Sequence, residues 1–322
     1  MKTLNFLSKV FLLALAVTFF SCDDNDDDVK QPETIAEIAI ATPSLSRLVL
    51  ALDRAGLVET LNSPGSFTVF APTDTAFNAF LQANGFNAVT DVPVPVLQQI
   101  LLNHVVAGKF ASTDLSTMYV NSLATYADTD LNLSMFIDTT DGVKINGVSS
   151  VVAPNIMATN GIIHVVDAVI GLPTVATFAV ADPTLSTLET ALTTLTPGTD
   201  FAGILSTSNG TDPAPFTVFA PTNAAFAQIA TLPGESTLTE ILKHHVIAGA
   251  NVTSGDLTPN GDTTAPSLQG DNLTITLPGT GSNIANLTDG SGNSDLGIIK
   301  VDVQAANGVI HVINKVAIPN LP

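Results

Sequence analysis

Two histidine pairs are the residues of this chain whose type and position could do chemistry. His104 and His164 lie in the first half of the sequence, and His245 and His311 lie at matching places in the second half. Imidazoles brought together in this way could serve as a general base or as ligands for a metal ion. The sequence therefore raises hydrolysis and metal binding as candidate functions.

The carboxylate that could assist such a pair is present in only one half. Asp167 follows the last histidine of the first half, whereas Asn314 occupies the corresponding position in the second half. We expect the histidines to be buried, neutral and hydrogen-bonded to the backbone or to each other, because burial disfavours the charged imidazolium. A hydrolase that uses the paired histidines is the alternative.

Other catalytic and nucleic-acid-binding patterns are missing from the sequence. It has no GxSxG motif and no glycine-rich phosphate loop followed by its lysine. Residues 33–173 hold 12 acidic and 4 basic residues, and residues 174–322 hold 12 and 3, so neither half offers a basic patch to a polyanion. Nucleic acid is therefore excluded as a partner, and we expect neither an enzyme nor a bound cofactor.

A short acidic stretch in the second half begins like a calcium-binding loop. Asp289, Ser291, Asn293 and Asp295 supply side-chain oxygens at alternate positions. The glycine and glutamate that such a loop needs at its sixth and twelfth positions are replaced by serine and lysine. Since these residue types are also the ordinary residues of turns, the stretch favours an exposed loop. The four residues remain a candidate Ca²⁺ site, and no other metal site is predicted.

A helix and a strand in each half must position the histidines. Apolar residues precede His104 by seven, four and three positions, and the same spacing precedes His245, so both continue the apolar face of a helix. His164 and His311 lie in the runs IIHVV and VIHVI, each of which follows an Asn-Gly turn. Because these runs are apolar on both faces, they are predicted to be interior strands.

A repeated phrase indicates that these elements arose by duplication. FTVFAPTDTAF spans residues 67–77 and FTVFAPTNAAF spans residues 216–226, with nine positions identical. We predict two domains, residues 33–173 and 174–322, each opened by an amphipathic helix with a leucine stripe that begins at Leu45 or Leu185. The phrase predicts a short buried strand ended by proline, then a threonine that caps a helix. The residues that carry this motif are Phe67, Pro72 and Thr73 in the first domain and Phe216, Pro221 and Thr222 in the second.

The first 32 residues predict export and a lipid anchor. Lys2 and Lys9 precede a short apolar run, too short to span a bilayer, and the single cysteine, Cys22, follows directly. We predict a signal peptide over residues 1–21, lipidation of Cys22, and a solvated acidic tether over residues 22–32. The protein would then be anchored to the outer membrane and exposed at the cell surface, with the periplasmic face as the alternative.

The FTVFAPT phrase, the HVVAG and HVIAG segments and the NG-hydrophobic-IHV pattern, each occurring twice, resemble the fasciclin family, and the N-terminus resembles lipoproteins of the Bacteroidetes type. The resemblance implies an α+β fold of two tandem FAS1 domains, each a β-sandwich or wedge of strands with several flanking helices. It also implies adhesion or ligand binding, with a structural spacer as the alternative. Where the family often has Tyr-His, this chain has Asn103 and His244 before the histidine, so properties attributed to that tyrosine do not transfer.

The ligand itself is not predicted by the sequence. An extracellular protein or a glycan would suit an adhesion module, but the chain has no tryptophan and only two tyrosines, Tyr119 and Tyr126, with which to build a sugar-stacking surface. We expect any binding site to use the loops in which the two repeats differ, near residues 200–214 and 279–295.

Overall fold

The computed structural model describes residues 33–127 and 129–321, and the part from Glu33 onward forms one compact unit. The predicted signal peptide, Cys22 and the acidic tether lie outside the described residues. No single helix in the described ranges has the length and apolarity needed to cross a bilayer. One bent pair, Ile35–Ala41 with Pro43–Ala55, meets that requirement by length and composition only.

The first domain places its helices before and among seven strands. Its helices are α1 (Ile35–Ala41), α2 (Ser46–Ala55), α3 (Val58–Asn62), α4 (Asp74–Ala83) and α5 (Val94–Leu102), with 3-10 turns at Pro43–Leu45 and Val89–Asp91. Its strands are β1 (Phe67–Pro72), β2 (Val105–Ala107), β3 (Met118–Thr125), β4 (Asn132–Asp138), β5 (Lys144–Ile145), β6 (Ser149–Ala158) and β7 (Gly161–Val166).

The second domain repeats this order of elements. Its helices are α6 (Val175–Ala181), α7 (Ser186–Thr193), α8 (Phe201–Leu205), α9 (Asn223–Phe226) and α10 (Glu235–His244), with 3-10 turns at Pro183–Leu185 and Ser254–Asp256. Its strands are β8 (Phe216–Pro221), β9 (Val246–Ala248), β10 (Asp262–Pro266), β11 (Asn272–Thr276), β12 (Ala285–Thr288), β13 (Leu296–Ala305) and β14 (Gly308–Ile313). The mixed α+β fold implied by the resemblance to the fasciclin family is therefore confirmed.

The strand of the repeated phrase lies in the interior of each sheet. β1 pairs in parallel with β7 and antiparallel with β2, and β8 is held in the same way by β14 and β9. The seven strands of the first domain close into a barrel, whereas those of the second form a sheet in the order β10-β11-β12-β13-β14-β8-β9. Pro72 and Pro221 end their strands, as the sequence predicted.

The prediction that the leucine-stripe helix is the first helix of each domain is wrong. The stripe forms α2 and α7, but α1 and α6 precede them. Thr34 caps α1 reciprocally with Glu37, whose carboxylate accepts the Thr34 N–H at 2.8 Å. Thr174 and Thr177 cap α6 in the same way. These helices were missed because their small apolar residues show no clear stripe over only seven positions.

Candidate functional site

The histidine at the end of α5 or α10 connects that helix to the last segment of its domain. Nδ1 of His104 donates to the Ile100 carbonyl at 2.7 Å, and its Nε2 accepts from the Ile170 N–H at 2.9 Å. His245 repeats both bonds at the same distances, with the corresponding helical carbonyl and with the N–H of Ala317. Each ring thus satisfies two buried backbone groups that regular secondary structure leaves unpaired.

The histidine of β7 or β14 plays a similar part inside the sheet. Nε2 of His164 donates to the Phe110 carbonyl at 2.9 Å, and Nε2 of His311 donates to the Val252 carbonyl at 2.8 Å. The rings also lie against the phenylalanines that face them in the neighbouring strand, with centroids 5.6 and 5.7 Å apart. Both imidazoles are therefore packed as core groups.

A bulge in the preceding strand supplies the second bond to each strand histidine. Asn155 in β6 and Asp302 in β13 have positive φ angles of 64° and 59°, and both lie where the strand register shifts. Their N–H groups point at Nδ1 of His164 and His311, at 3.3 and 3.4 Å. The left-handed conformation is thus part of the fold, since both domains use it to satisfy the histidine.

Burial holds the four histidines of the two pairs in the neutral form. It lowers the pKa of His104 and of His245 to about 4, and it lowers the pKa of His164 and of His311 as well. Every ring nitrogen is already bonded to a backbone group, so none is free to take a proton from a substrate or to bind a metal. No group of three or more His, Cys, Asp or Glu residues in the described ranges is placed to hold a metal ion.

Asp167 and Asn314 perform the same structural task. The Ser150 N–H donates to the Asp167 carboxylate at 2.7 Å, and the Gly297 N–H donates to the Asn314 side-chain oxygen at 2.8 Å. Either side chain offers the acceptor that this position requires. The exchange of carboxylate for amide between the repeats therefore follows from backbone geometry and does not mark a reaction.

The residues of the repeated phrase also serve the fold. Oγ1 of Thr73 accepts from the Ala76 N–H at 3.2 Å, and Thr222 caps α9 at the same distance. Phe216 is fully buried, and Phe67 is partly buried and packs against the first domain's core. Pro72 and Pro221 are buried at the strand ends. This motif places no reactive group at a surface.

A buried asparagine that sequence reasoning assigned only to a turn holds each domain together. Oδ1 of Asn160 accepts from the Ile35 N–H at 2.9 Å, while its Nδ2 donates to the carbonyls of Leu61 and Ser63. Asn307 makes the three equivalent bonds in the second domain. The side chain thus joins the first helix and the end of the third helix to the last hairpin. The sequence signal for this structural role was the occurrence of Asn-Gly at the matching position in both halves.

The candidate calcium loop uses its principal carboxylate internally. Asp289 is 4% exposed and accepts from the backbone N–H groups of Ser291, Asn293 and Ile318. The carboxylate of Asp295 is paired with Lys315. The arrangement shows a carboxylate that closes a loop and holds the C-terminal segment, while the proposed Ca²⁺ site remains a prediction.

The junction between the two domains was not foreseen from the sequence. The Tyr119 hydroxyl in β3 donates to the carboxylate of Asp182 at 2.9 Å, and its ring packs edge-on against Phe178 of α6 with centroids 5.5 Å apart. Phe136 of β4 is 3% exposed and belongs to the second domain's core cluster. The two domains are thus joined by a shared aromatic core.

Polar contacts extend this junction along β13 and the linker. The Gln304 N–H donates to Oγ of Ser134 at 3.0 Å, and the Ala306 N–H donates to the Pro173 carbonyl at 2.7 Å. Beside these contacts, a cleft of about 420 Å³ lies between the domains and is open to solvent. We name it the junction cleft and define it by its lining, which is Asn121, Asp130, Leu131, Asn132, Thr253, Ser254, Gly255, Asp302 and Gln304.

Comparison with known proteins identifies the repeats. The family model described as the fasciclin domain matches residues 43–173 and again residues 185–319. An uncharacterised protein of Synechocystis is 43% identical over 136 residues, which cover 42% of this chain and 96% of that protein. Human periostin is 27% identical over 284 residues, covering 83% of this chain but only 30% of periostin.

A solved structure shares the arrangement of two domains. It is the FAS1 domain pair from the insect cell adhesion molecule Fasciclin I, which superposes with a TM-score of 0.50 and 20% sequence identity. The match covers 87% of this chain and 97% of that pair. At this identity the likeness concerns the fold.

Proposed function

Because this chain belongs to the fasciclin family and carries two of its domains in tandem, we propose that it is an adhesion or ligand-binding protein and not an enzyme. The matching domain pair comes from an insect cell adhesion molecule. The transfer of that role to this chain is supported by matches over most of both domains. It does not depend on any single shared surface residue.

The shared aromatic junction is the observation that carries this proposal. Tyr119 and Phe136 of the first domain pack with Phe178 of the second, with Tyr119 bonded to Asp182. Such a junction fixes the surfaces of both domains relative to each other, so a ligand can contact both without first ordering them. Preorganised surfaces of this kind lower the entropic cost of binding.

The geometry of the histidines supports the exclusion of catalysis. A general base needs a nitrogen within hydrogen-bonding reach of a substrate proton. His104 and His245 instead have both nitrogens bonded to buried backbone groups. Both nitrogens of His164 and of His311 are bonded to partly buried backbone groups. A hydrolase that uses these pairs would have to break the fold to expose them.

We further propose that Cys22 carries lipid and that the protein is attached to the outer membrane, facing outward. The support is the sequence: a short apolar run ends at this only cysteine, and five aspartates follow it within six residues. The acidic segment would hold the first domain away from the membrane. The expected ligand is an extracellular protein or glycan, since the acidic surface does not favour polyanions.

A test combines anchoring with adhesion. The full chain and its Cys22→Ser variant are expressed in the native host, and membrane attachment, protease accessibility on intact cells and cell–cell aggregation are measured. We expect the wild type to be membrane-bound, accessible and adhesive, and the variant to be released with loss of aggregation. Purified Cys22→Ser chain on beads should still bind cells.

Two outcomes would contradict the proposal. If beads coated with the chain bind neither cells, matrix proteins nor glycans, while deletion of the protein alters envelope organisation, the structural spacer is the correct function. If the purified chain hydrolyses ester or glycoside substrates and loses this activity in His104→Phe with His245→Phe, the assignment as a non-enzyme is wrong.

A further inference from the structure

The junction cleft exists only because the two domains are joined. The first domain contributes Asn121 of β3 and residues 130–132, which reach the start of β4. The second contributes residues 253–255 and part of β13. Its volume of about 420 Å³ lies within the range of small-molecule sites, which often form between domains. None of its lining residues falls in the divergent loops where the sequence analysis placed a site.

The wall supplied by the second domain is fixed by hydrogen bonds. The Asp302 carboxylate accepts from the Ser254 N–H at 2.8 Å and also from the Ser254 hydroxyl. The Gln304 side chain exchanges hydrogen bonds with Asn251 and donates to the carbonyls of Ala305 and Gly308. A ligand would therefore meet positioned polar groups on this side.

The wall supplied by the first domain offers side chains that are free to bind. Asn121, Asp130 and Asn132 are exposed, and none of the side-chain hydrogen bonds among residues 33–127 and 129–321 uses them. Two carboxamides supply both donors and acceptors, and the carboxylate supplies acceptors. This wall is held against the other by the bond between Ser134 and Gln304, so the spacing of the two walls is set.

The lining selects a class of ligand. Asp130 and Asp302 would repel anions, and no lysine or arginine lines the cleft to compensate. Leu131 is the one large apolar side chain in the lining, and no aromatic side chain lines the cleft, so the lining lacks the side chains that typically hold lipids and aromatic molecules. Carboxamides, hydroxyls and carboxylates together match a neutral ligand that both donates and accepts hydrogen bonds at many points, which is the chemistry of a saccharide.

We propose that the junction cleft binds a neutral saccharide of one or two rings, held by the side chains of Asn121, Asp130 and Asn132 against the fixed wall of the second domain. The proposal rests on the ligand-binding function proposed above and names the ligand class for one site. Recognition here uses hydrogen bonds at the edges of the sugar ring. It does not need the aromatic platform that the sequence lacks.

A glycine in the cleft permits a blocking variant. Gly255 lines the cavity, and a Cβ placed on it would lie 3.6 Å from Oγ1 of Thr253, an ordinary contact. Gly255→Leu should therefore fill the cleft without straining the backbone. Asn121→Ala and Asn132→Ala remove exposed binding groups, and Asn87→Ala is a matched control at an exposed asparagine that does not line the cleft.

Binding is measured with the full chain carrying Cys22→Ser, on an array of neutral, sulfated and sialylated glycans and by ligand-observed NMR with free neutral disaccharides. We expect binding of neutral saccharides, a loss of about fivefold or more in affinity for each asparagine variant, no detectable binding by Gly255→Leu, and no change in Asn87→Ala. Thermal denaturation of each variant checks that it is folded.

Several results would overturn the proposal. They are the absence of neutral saccharide binding, saccharide binding that Gly255→Leu leaves intact, and a cleft that takes Ca²⁺ or spermidine and no sugar. Bead adhesion by a wild-type chain that binds no neutral saccharide would reject this inference alone and leave the adhesive function standing. Loss of adhesion in every assay, with the wild-type chain folded, would reject the proposed function itself.

Discussion

The hydroxyl of Tyr119 in the first domain donates a hydrogen bond of 2.9 Å to the carboxylate of Asp182 in the second. Burial raises the pKa of this tyrosine above its ordinary value, and the Asp182 charge and the hydrogen bond raise it further. The phenol therefore stays protonated and remains a donor across the physiological pH range. A protonated donor facing a carboxylate makes this bond a specific tie between the domains.

Removing this hydroxyl should weaken the junction. We predict that Tyr119→Phe lowers the free energy of unfolding by about 1.5–3 kcal/mol, because Asp182, which is 6% exposed, loses one donor to its carboxylate. Chemical denaturation measures the loss. Tyr119→Ala should cost more, since the ring also packs on Phe136 and Phe178. Equal stability of wild type and Tyr119→Phe would mean that the hydrogen bond contributes nothing to the tie.

The buried histidines predict a stability that depends on pH. With a pKa of about 4 in the folded state against 6.5 when unfolded, His104 and His245 each contribute stability that is fully present above pH 6.5. This contribution is lost as the pH falls toward 4, because the unfolded chain binds the proton first. The loss amounts to about 3 kcal/mol for each histidine.

Urea denaturation at pH 7, 5.5 and 4 measures this effect, with His104→Phe and His245→Phe as the test variants. Each should be less stable at pH 7 by about 1–3 kcal/mol, since backbone groups such as the Ile170 N–H lose their partner. Each should also show a shallower decline between pH 6.5 and 4. An unchanged slope in the double variant would assign the acid sensitivity to other groups.

Asp167 allows a direct separation of structural from chemical roles. Asp167→Asn should leave the free energy of unfolding within about 0.5 kcal/mol of wild type, because Asn314 already accepts the equivalent backbone N–H in the second domain. Asp167→Ala should cost about 1 kcal/mol. A large effect of Asp167→Asn on any activity, with stability preserved, would revive a chemical role for the carboxylate.

Loss of the buried asparagine should be severe. In Asn160→Ala the Ile35 N–H and the carbonyls of Leu61 and Ser63 lose their partner, and we expect a loss of about 3 kcal/mol or more. Asn307→Ala should behave alike in the second domain. Asn272→Ala, at an exposed position on β11, is the control and should change stability by less than about 0.5 kcal/mol. Similar stabilities for Asn160→Ala and the control would contradict this account.

The loop at Asp289 should respond to substitution through stability. Asp289→Ala removes the acceptor for the Ile318 N–H and for the backbone of its own loop, so we expect a loss of about 2 kcal/mol in the absence of Ca²⁺. Calorimetric titration of the wild type with Ca²⁺ is expected to give no binding heat. A Ca²⁺-dependent rise in melting temperature that Asp289→Ala abolishes would establish the calcium site instead.

The sequence predicted those parts of the fold in which a local pattern and the final environment agree. The FTVFAP strand, the threonine caps and the interior strands around His164 and His311 each depend on neighbours a few positions away. The bonds of Asn160 and Tyr119 join residues 125 and 63 positions apart in the chain. The hydrophobic periodicity of a sequence does not indicate hydrogen-bond partners so far apart, so the roles of these residues are visible only in the structure.

The same limit explains the cleft. Asn121 and Asn132 lie on the paired strands β3 and β4 of the first domain, and Asp302 of β13 becomes their neighbour only because Tyr119 and Phe136 pack the two domains together. A comparison of the two repeats finds the motifs that they share and the loops in which they differ. The cleft is formed by one repeat packing against the other, so that comparison does not reveal it.

Phe136 prevents the two domains from being independent modules. Although this residue lies in the first domain, its side chain is a member of the second domain's core. Cutting the chain after Pro173 would expose an aromatic surface on the first fragment and part of the hydrophobic core on the second. Each fragment would therefore associate non-specifically more readily than the intact protein. The boundary between the repeats is thus not a boundary between independently folded parts. Binding observed with an isolated half would have to be compared with binding by the whole chain before it could be ascribed to adhesion.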